Sequence, residues 1–386
     1  MKSLSKNFGK SLLAGAVIFL ASCNKDNDND NSTNPNVTPK STTVKGVLEE
    51  EARYSHMNEA VEESGHSAFF ADANANITLF AANNSAFEKL FAKMNVSSVA
   101  ELKSQMGDER FANLILYHAL TGKFTVSDFN NDFEETNAES DNGSHLDVLI
   151  VNENNARLVF NGNDENGASS VSNVTISAQN GSVIEINGIL EAQSTFENME
   201  EGDREESTYM VNFMANADAS VKAMLENKNE VNTIMAGNKE EVEAMLSLHI
   251  SNILDVQALE NLLDNGQKTT LLSNFGVSVL ADLMADLKID DLIALNINLA
   301  QILSVMDKDD NTKLMNSFIF SGNLDKNAMI SKGSITSRSG ISFDVSSNTQ
   351  GNLVLTDADG NKFILDSEST QSVNGSVYTI TEVQEQ

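Results

Sequence analysis

The feature that most constrains this chain is a change in hydrophobic period. Over Val44, Val47, Leu48 and then Met57, Ala60, Val61, apolar residues return at helical spacing, and Phe87, Leu90, Phe91 and Met94 form another apolar helix face. Two more helical stretches are expected at Val99–Met106 and Phe111–Leu120. Within this part, Ile77–Ala81 is a short run of branched and aromatic residues that reads as a strand, and Asn83-Asn84-Ser85 after it supplies a helix N-cap. Beyond Gly122 the period falls to two: Leu146, Val148, Ile150, then Leu158 and Phe160, then Val174 and Ile176, then Val183, Ile184 and Ile186. These are half-buried strands separated by Asn/Gly turns. Helices first and strands second, within one domain length, predict an α+β domain.

The pattern recurs. Setting Ile77 against Val277 aligns the two without a gap and puts Leu102 opposite Ile302, Met106 opposite Met306, Leu114 opposite Leu314 and Gly122 opposite Gly322. Asn180-Gly181-Ser182-Val183 returns as Asn374-Gly375-Ser376-Val377. Alternation at Ile341, Phe343 and Val345, at Leu353 and Leu355, and at Phe363 and Leu365 predicts the strands of a second, degenerate copy. In this register Val277–Ala281 is its first strand, Leu283 stands at the Asn83 position, and Ser317-Phe318 replace Tyr117-His118. Between the copies, residues 207–263 are rich in helix formers. Their methionines, among them Met210, Met214, Met224, Met235 and Met245, read as flexible core filling.

The N-terminus points to export. Lys2, Lys6 and Lys10 precede the apolar run Leu12–Leu20, which is too short to span a bilayer and reads as a cleaved signal. Leu20-Ala21-Ser22-Cys23 resembles the lipobox of bacterial lipoproteins, which implies cleavage before Cys23 and a lipid on it. Cys23 is the only cysteine, so no disulfide framework is available. Asn24–Lys40 is polar and acidic, holds both prolines, and reads as a flexible tether. It is similar to the stretch that sends many Bacteroidetes lipoproteins to the outer face of the outer membrane. That implies a lipid-anchored, surface-exposed location, with the periplasmic face as the alternative.

The boxes carry a further resemblance. Thr78-Leu79-Phe80-Ala81-Ala82-Asn83-Asn84-Ser85-Ala86-Phe87 resembles the first signature of the fasciclin (FAS1) domain, with Ala82 where the family usually has proline. Leu114–Leu120, containing Tyr117-His118, resembles its Tyr-His box, and 174–184, with Asn180-Gly181, its closing strand pair. The resemblance implies tandem FAS1-like domains, each a helical N-terminal part on a twisted antiparallel β-sandwich or wedge. The expected boundaries are 1–22 signal, 23–40 tether, 41–193 first domain, 194–240 helical linker and 241–386 second domain. Thr78, Phe80, Ala81, Asn83, Phe87, Tyr117, His118, Asn180 and Gly181 are the motif residues, structural or binding. From the residues themselves, Phe80 and Phe87 read as core, His118 as a buried imidazole bonded to backbone, and Asn180-Gly181 as the positive-φ pair of a tight hairpin.

Nothing in the sequence carries catalytic chemistry. The five histidines lack H-x-x-x-H or H-E-x-x-H spacing, and no Gly-rich phosphate loop or G-x-S-x-G elbow is present. Asp307–Asn311 lacks the central glycine and closing glutamate of a calcium loop, and Asp357–Asn361 reads as a hairpin turn, so no metal and no cofactor is expected. A net charge of −31 argues against nucleic acid and anionic lipid surfaces as partners. The resemblance implies a non-catalytic cell-surface adhesion or binding protein with an extracellular protein or glycan ligand. The alternative is an accessory glycan-binding lipoprotein of an outer-membrane nutrient importer, which the absence of tryptophan and the presence of only four tyrosines weaken.

Overall fold

The computed structural model describes residues 37–39, 42–140, 143–161, 168–201 and 205–386. The signal segment, Cys23 and the tether up to residue 36 lie outside the described residues.

Thr43 starts the helical part of the first repeat by accepting the Gly46 N–H, and α1 (Val44–Glu50), α2 (Ser55–Glu63) and α3 (Ser67–Ala71) follow. After the first internal strand come α4 (Asn84–Met94), α5 (Val99–Met106) and α6 (Asp108–Leu116). The last of these ends four residues earlier than its apolar pattern, because Ala119–Thr121 leaves the helix to pair in the sheet.

The strands of this repeat are β1 (Val37–Pro39), β2 (Ile77–Ala82), β3 (Ala119–Thr121), β4 (Asp132–Glu139), β5 (His145–Glu153), β6 (Arg157–Phe160), β7 (Ser170–Ala178) and β8 (Gly181–Ile186). Their order is β1-β7-β8-β2-β3-β4-β5-β6, and a bridge from Val159 to Ser169 brings β6 back toward β7, nearly closing a barrel. Most pairs are antiparallel, but β2 runs parallel to β8 and β1 parallel to β7. Every residue of β2 is buried, which explains its unbroken apolar run. The end of the expected tether is therefore corrected: Val37–Pro39 is an edge strand whose residues lie opposite Thr175–Ser177.

The second repeat begins directly after the first, and this overturns the helical linker expected at 194–240. Its helices α7 (Thr195–Glu201), α8 (Glu205–Met214) and α9 (Ala219–Glu226) lead into β9 (Asn232–Ala236), which sits inside the second sheet. Met210, Met214, Val221 and Leu225 are buried in the same core as that sheet. The segment looked like a linker because its helical period says nothing about which sheet it covers.

After β9 come α10 (Lys239–Leu248), α11 (Ile250–Ile253), α12 (Val256–Leu262), α13 (Asn265–Phe275), α14 (Ile289–Ile293), α15 (Leu299–Val305) and α16 (Lys308–Ser317). Then β10 (Ile319–Ser321), α17 (Lys326–Lys332), β11 (Ser334–Thr336), β12 (Ser342–Ser347), β13 (Leu353–Thr356), β14 (Lys362–Ser372) and β15 (Gly375–Gln384) complete the chain. The sheet order is β10-β9-β15-β14-β13-β12-β11, with β9 parallel to β15.

The two sheets superpose in register, but not in the register read from sequence. Ile77 lies opposite Gly181 in one repeat, and Asn232 lies opposite Gly375 in the other. Thr78 therefore matches Thr233, Ala81 matches Ala236, and the helix cap Asn83 matches the helix cap Asn238 rather than Leu283. Val277–Ala281, expected as a strand, is a turn followed by a 3-10 helix at Leu280–Asp282. The offset is 155 residues at Thr78/Thr233 but 200 at His118/Phe318, so the second repeat holds 45 extra residues between these boxes.

Gly181 and Gly375 show why glycine recurs at the hairpin. A Cβ on Gly181 would lie 1.9 Å from the Ile77 carbonyl oxygen, and one on Gly375 would lie 1.7 Å from that of Asn232. The expected positive-φ pair at Asn180-Gly181 is thus corrected. Neither residue has positive φ, and glycine is required because two backbones touch there.

Candidate functional site

Each box of the first repeat has a definite mechanical task. Thr78, fully buried on β2, donates its hydroxyl to the Gly122 carbonyl at 2.8 Å and accepts the Phe124 N–H at 2.8 Å, fixing the turn after β3. Thr233 repeats both bonds with Gly322 and Leu324. Ala81 is buried beside it, and Phe80 packs edge-on against Phe160 at 4.6 Å. Phe80 and Phe87 are both almost wholly buried, contributing roughly 1.5–3 kcal/mol each. Asn83 caps α4 by accepting the Ala86 N–H, and its amide donates to Glu185 at 3.1 Å, tying the helix start to β8.

His118 is fully buried. Its Nε2 accepts the Leu190 N–H at 3.0 Å, which places the ring proton on Nδ1, donated to the Leu114 carbonyl at 2.8 Å. Burial pushes its pKa down to about 4, so the ring is neutral at physiological pH. With both nitrogens given to backbone, neither remains for a substrate or a metal. The Tyr117 hydroxyl donates to the Asp147 carbonyl at 2.7 Å and receives the Asn161 amide, and burial raises its pKa.

A groove opens beside the tyrosine. Half-buried Met94 of α4, Met106 of α5 and Leu114 of α6 form its aliphatic floor, backed by the buried Leu90, Leu102 and Tyr117. Lys228, Val231 and Val373 of the second repeat form the facing wall, and the cavity measures about 650 Å³. Its rim carries Glu109, Arg110, Glu139 and Glu191. Lys228 is anchored to the Ala192 carbonyl at 2.8 Å and paired with Glu197. Of the motif residues read from sequence, Tyr117 alone reaches this groove. The floor was legible only as a helix face.

A second cleft of about 730 Å³ lies where β4 and β5 meet β14, and Asp132, Glu135, Asp325, Asp366 and Glu368 line it. Asp147 also borders it, and its carboxylate accepts the Gln371 N–H at 2.7 Å across the two repeats. Among the described residues no three His, Cys, Asp or Glu side chains converge to hold a metal ion. Asp307 caps α16, and the 357–361 segment is a turn closed by bonds from Asp359 and Asn361 to the Asp357 carboxylate.

Asp147, like Lys228, makes a charge-assisted bond between the repeats, and such a bond is about twice as strong as a neutral one. Asp147→Ala is expected to leave the helix and strand content unchanged by circular dichroism. It is also expected to raise the radius of gyration in small-angle scattering and to speed proteolysis at the 191–194 connection.

The family model for the fasciclin domain matches residues 52–192. No curated protein matches the chain. Among solved structures, a FAS1 domain pair from the insect cell adhesion molecule fasciclin I is similar at 12% identity, covering 86% of this chain and 96% of that one, with a TM-score of 0.42.

Proposed function

We propose that this chain, whose residues 52–192 belong to the fasciclin domain family, is a non-catalytic adhesion or binding protein that meets an extracellular partner through its first repeat. The observation that carries the reading is a contrast at the Tyr-His box of that repeat, where the second repeat supplies the groove's facing wall. The histidine that could do proton chemistry is neutral and spent on backbone, while an aliphatic groove next to it stays open. Such a groove gains free energy by covering apolar area, which is a binding function and needs no reacting group. Its floor is aliphatic, without the flat aromatic platform on which sugars stack, so a protein partner fits better than a glycan.

A lipid on Cys23 would anchor the chain to the membrane, and the acidic stretch after it favours the outer face over the periplasmic one. Cys23→Ser is expected to move the protein from the membrane fraction to the soluble exported fraction, and a variant that stays membrane-bound would remove the anchor from the reading. The binding role is tested with beads coated with the exported chain. Attachment to cells or matrix should occur with the intact protein and drop at least about five-fold with Met94→Glu plus Met106→Glu. Micromolar binding to one polysaccharide class on a glycan array, unaffected by those changes, would replace adhesion with the accessory glycan role.

A further inference from the structure

The second repeat shows what covers the groove when the chain covers it itself. Asn83 and Asn238 cap α4 and α10, and Ser98 and Asn298 cap α5 and α15 by accepting the N–H three residues on, which fixes the correspondence of the two helical layers. Leu90, Leu102, Met106 and Leu114 then match Met245, Ile302, Met306 and Leu314. The 45 extra residues of the second repeat fall between α10 and α15, and two of their helices, α11 and α12, pack on α16 and α15. They bring Ile253, Leu254, Ala258 and Leu259 into the core. As a result Leu314 is fully buried, whereas in the first repeat Leu114 is half-buried under an open cavity.

At the start of α6 and α16 the covered and the open face carry opposite charges. Asp310 is wholly buried and accepts the N–H of Asp255, the residue that caps α12, at 2.9 Å. The matching residue of the first repeat is Arg110, exposed on the groove rim and in no ion pair with another described residue. A cation there calls for a carboxylate where the covering helix of the second repeat meets one.

We propose that the groove of the first repeat receives an amphipathic helix from a protein partner, which lays aliphatic side chains on the floor and brings an acidic residue to Arg110. This rests on the binding role proposed above and names its ligand class. The mode is helix-in-groove, with the second repeat as its internal example.

The probe is a synthetic peptide of residues 249–263, which carries the aliphatic face of α11 and α12 with Asp255 beside it. It should bind the full chain, immobilised on a sensor, saturably with a Kd below about 100 µM. Arg110→Glu should weaken it about five-fold or more, and a peptide with Asp255→Lys should regain the loss on that variant, since the pair has only exchanged signs. Met106→Glu should abolish binding without lowering the melting temperature, because Met106 is only half-buried. Absence of saturable binding up to about 1 mM overturns the helix site, as does binding that ignores both groove variants. If the coated beads still attach while the peptide fails, the adhesion reading stands and the helix ligand falls. Loss of bead attachment with the peptide still bound has the opposite meaning.

Discussion

Asn180→Ala should destabilise the first repeat by about 2–4 kcal/mol, because one buried side chain gives up three bonds to backbone. The Val44 N–H and the Phe70 carbonyl lose a buried partner, whereas the Asp72 carbonyl keeps the Ala75 N–H. Asn180 is 2% exposed. Its Oδ1 accepts the Val44 N–H at 2.7 Å at the start of α1, and its amide donates to the carbonyls of Phe70 at 3.1 Å and Asp72 at 2.8 Å. It thus joins the last hairpin to the first helix and to the segment before β2, each more than 100 residues away in the chain. Asn374 makes the same three bonds, to the Thr195 N–H and to the carbonyls of Leu225 and Asn227. The pair gives an internal control: Asn374→Ala should weaken the second repeat by a similar amount. Asn180→Asp keeps the acceptor and loses the donors, so it should fall between wild type and alanine. Urea unfolding followed by Tyr fluorescence and circular dichroism reads all three, and a drop below about 1 kcal/mol for Asn180→Ala would show that the three bonds are readily replaced by water.

The history of this residue shows how far sequence carries. The Asn-Gly pair stood out in both halves, and it marked the right hairpins. Its long-range bonds could not be read, because nothing in a local pattern names partners more than 100 residues away. The α+β architecture, the boxes at Thr78–Phe87 and Tyr117-His118, and most strands follow from period and turn chemistry, which are local. The second repeat is legible in its hairpin and its alternating strands, but its beginning is not. Val277–Ala281 imitates Ile77–Ala81 in apolar pattern, while the true match, Thr233-Ile234-Met235-Ala236-Gly237-Asn238, keeps Thr, Ala and Asn in place of bulk. An apolar run of five residues does not declare whether it is strand or loop. The buried threonine and the helix cap do, because their bonds are specific. The groove stayed hidden for a related reason. An aliphatic helix face has the same sequence whether its own chain covers it, as over Leu314, or leaves it open, as over Leu114.

Acidification from pH 7 to 4 should destabilise the first repeat through His118 by up to roughly 3 kcal/mol. The sign follows from which form the fold accepts. The folded pKa, pushed down to about 4 from 6.5, means that the neutral ring is favoured, so the unfolded chain binds the proton first. The contribution is fully present above pH 6.5, shrinks as pH falls below that value, and is lost at about pH 4. The structural cause is definite: a second proton would have to sit on Nε2, where it would face the Leu190 N–H at 3.0 Å with no water to relieve it. Neutralising carboxylates in so acidic a protein acts in the opposite direction by reducing repulsion, so the comparison with a variant carries the test. His118→Phe supplies it, because Phe318 occupies the matching place in the second repeat, where its carbonyl accepts the Met235 N–H as that of His118 accepts the Phe80 N–H. There the chain beyond Ile380 continues in β15 to Gln384 and finds its bonds in the sheet, whereas the first repeat leaves β8 at Ile186 and needs the imidazole to receive Leu190. His118→Phe should therefore lower stability at pH 7 by about 1–3 kcal/mol, through the stranded Leu190 N–H, and flatten the loss between pH 6.5 and 4. Equal losses for both proteins across that range, measured as urea midpoints at pH 7, 5.5 and 4, would assign the acid sensitivity to other groups.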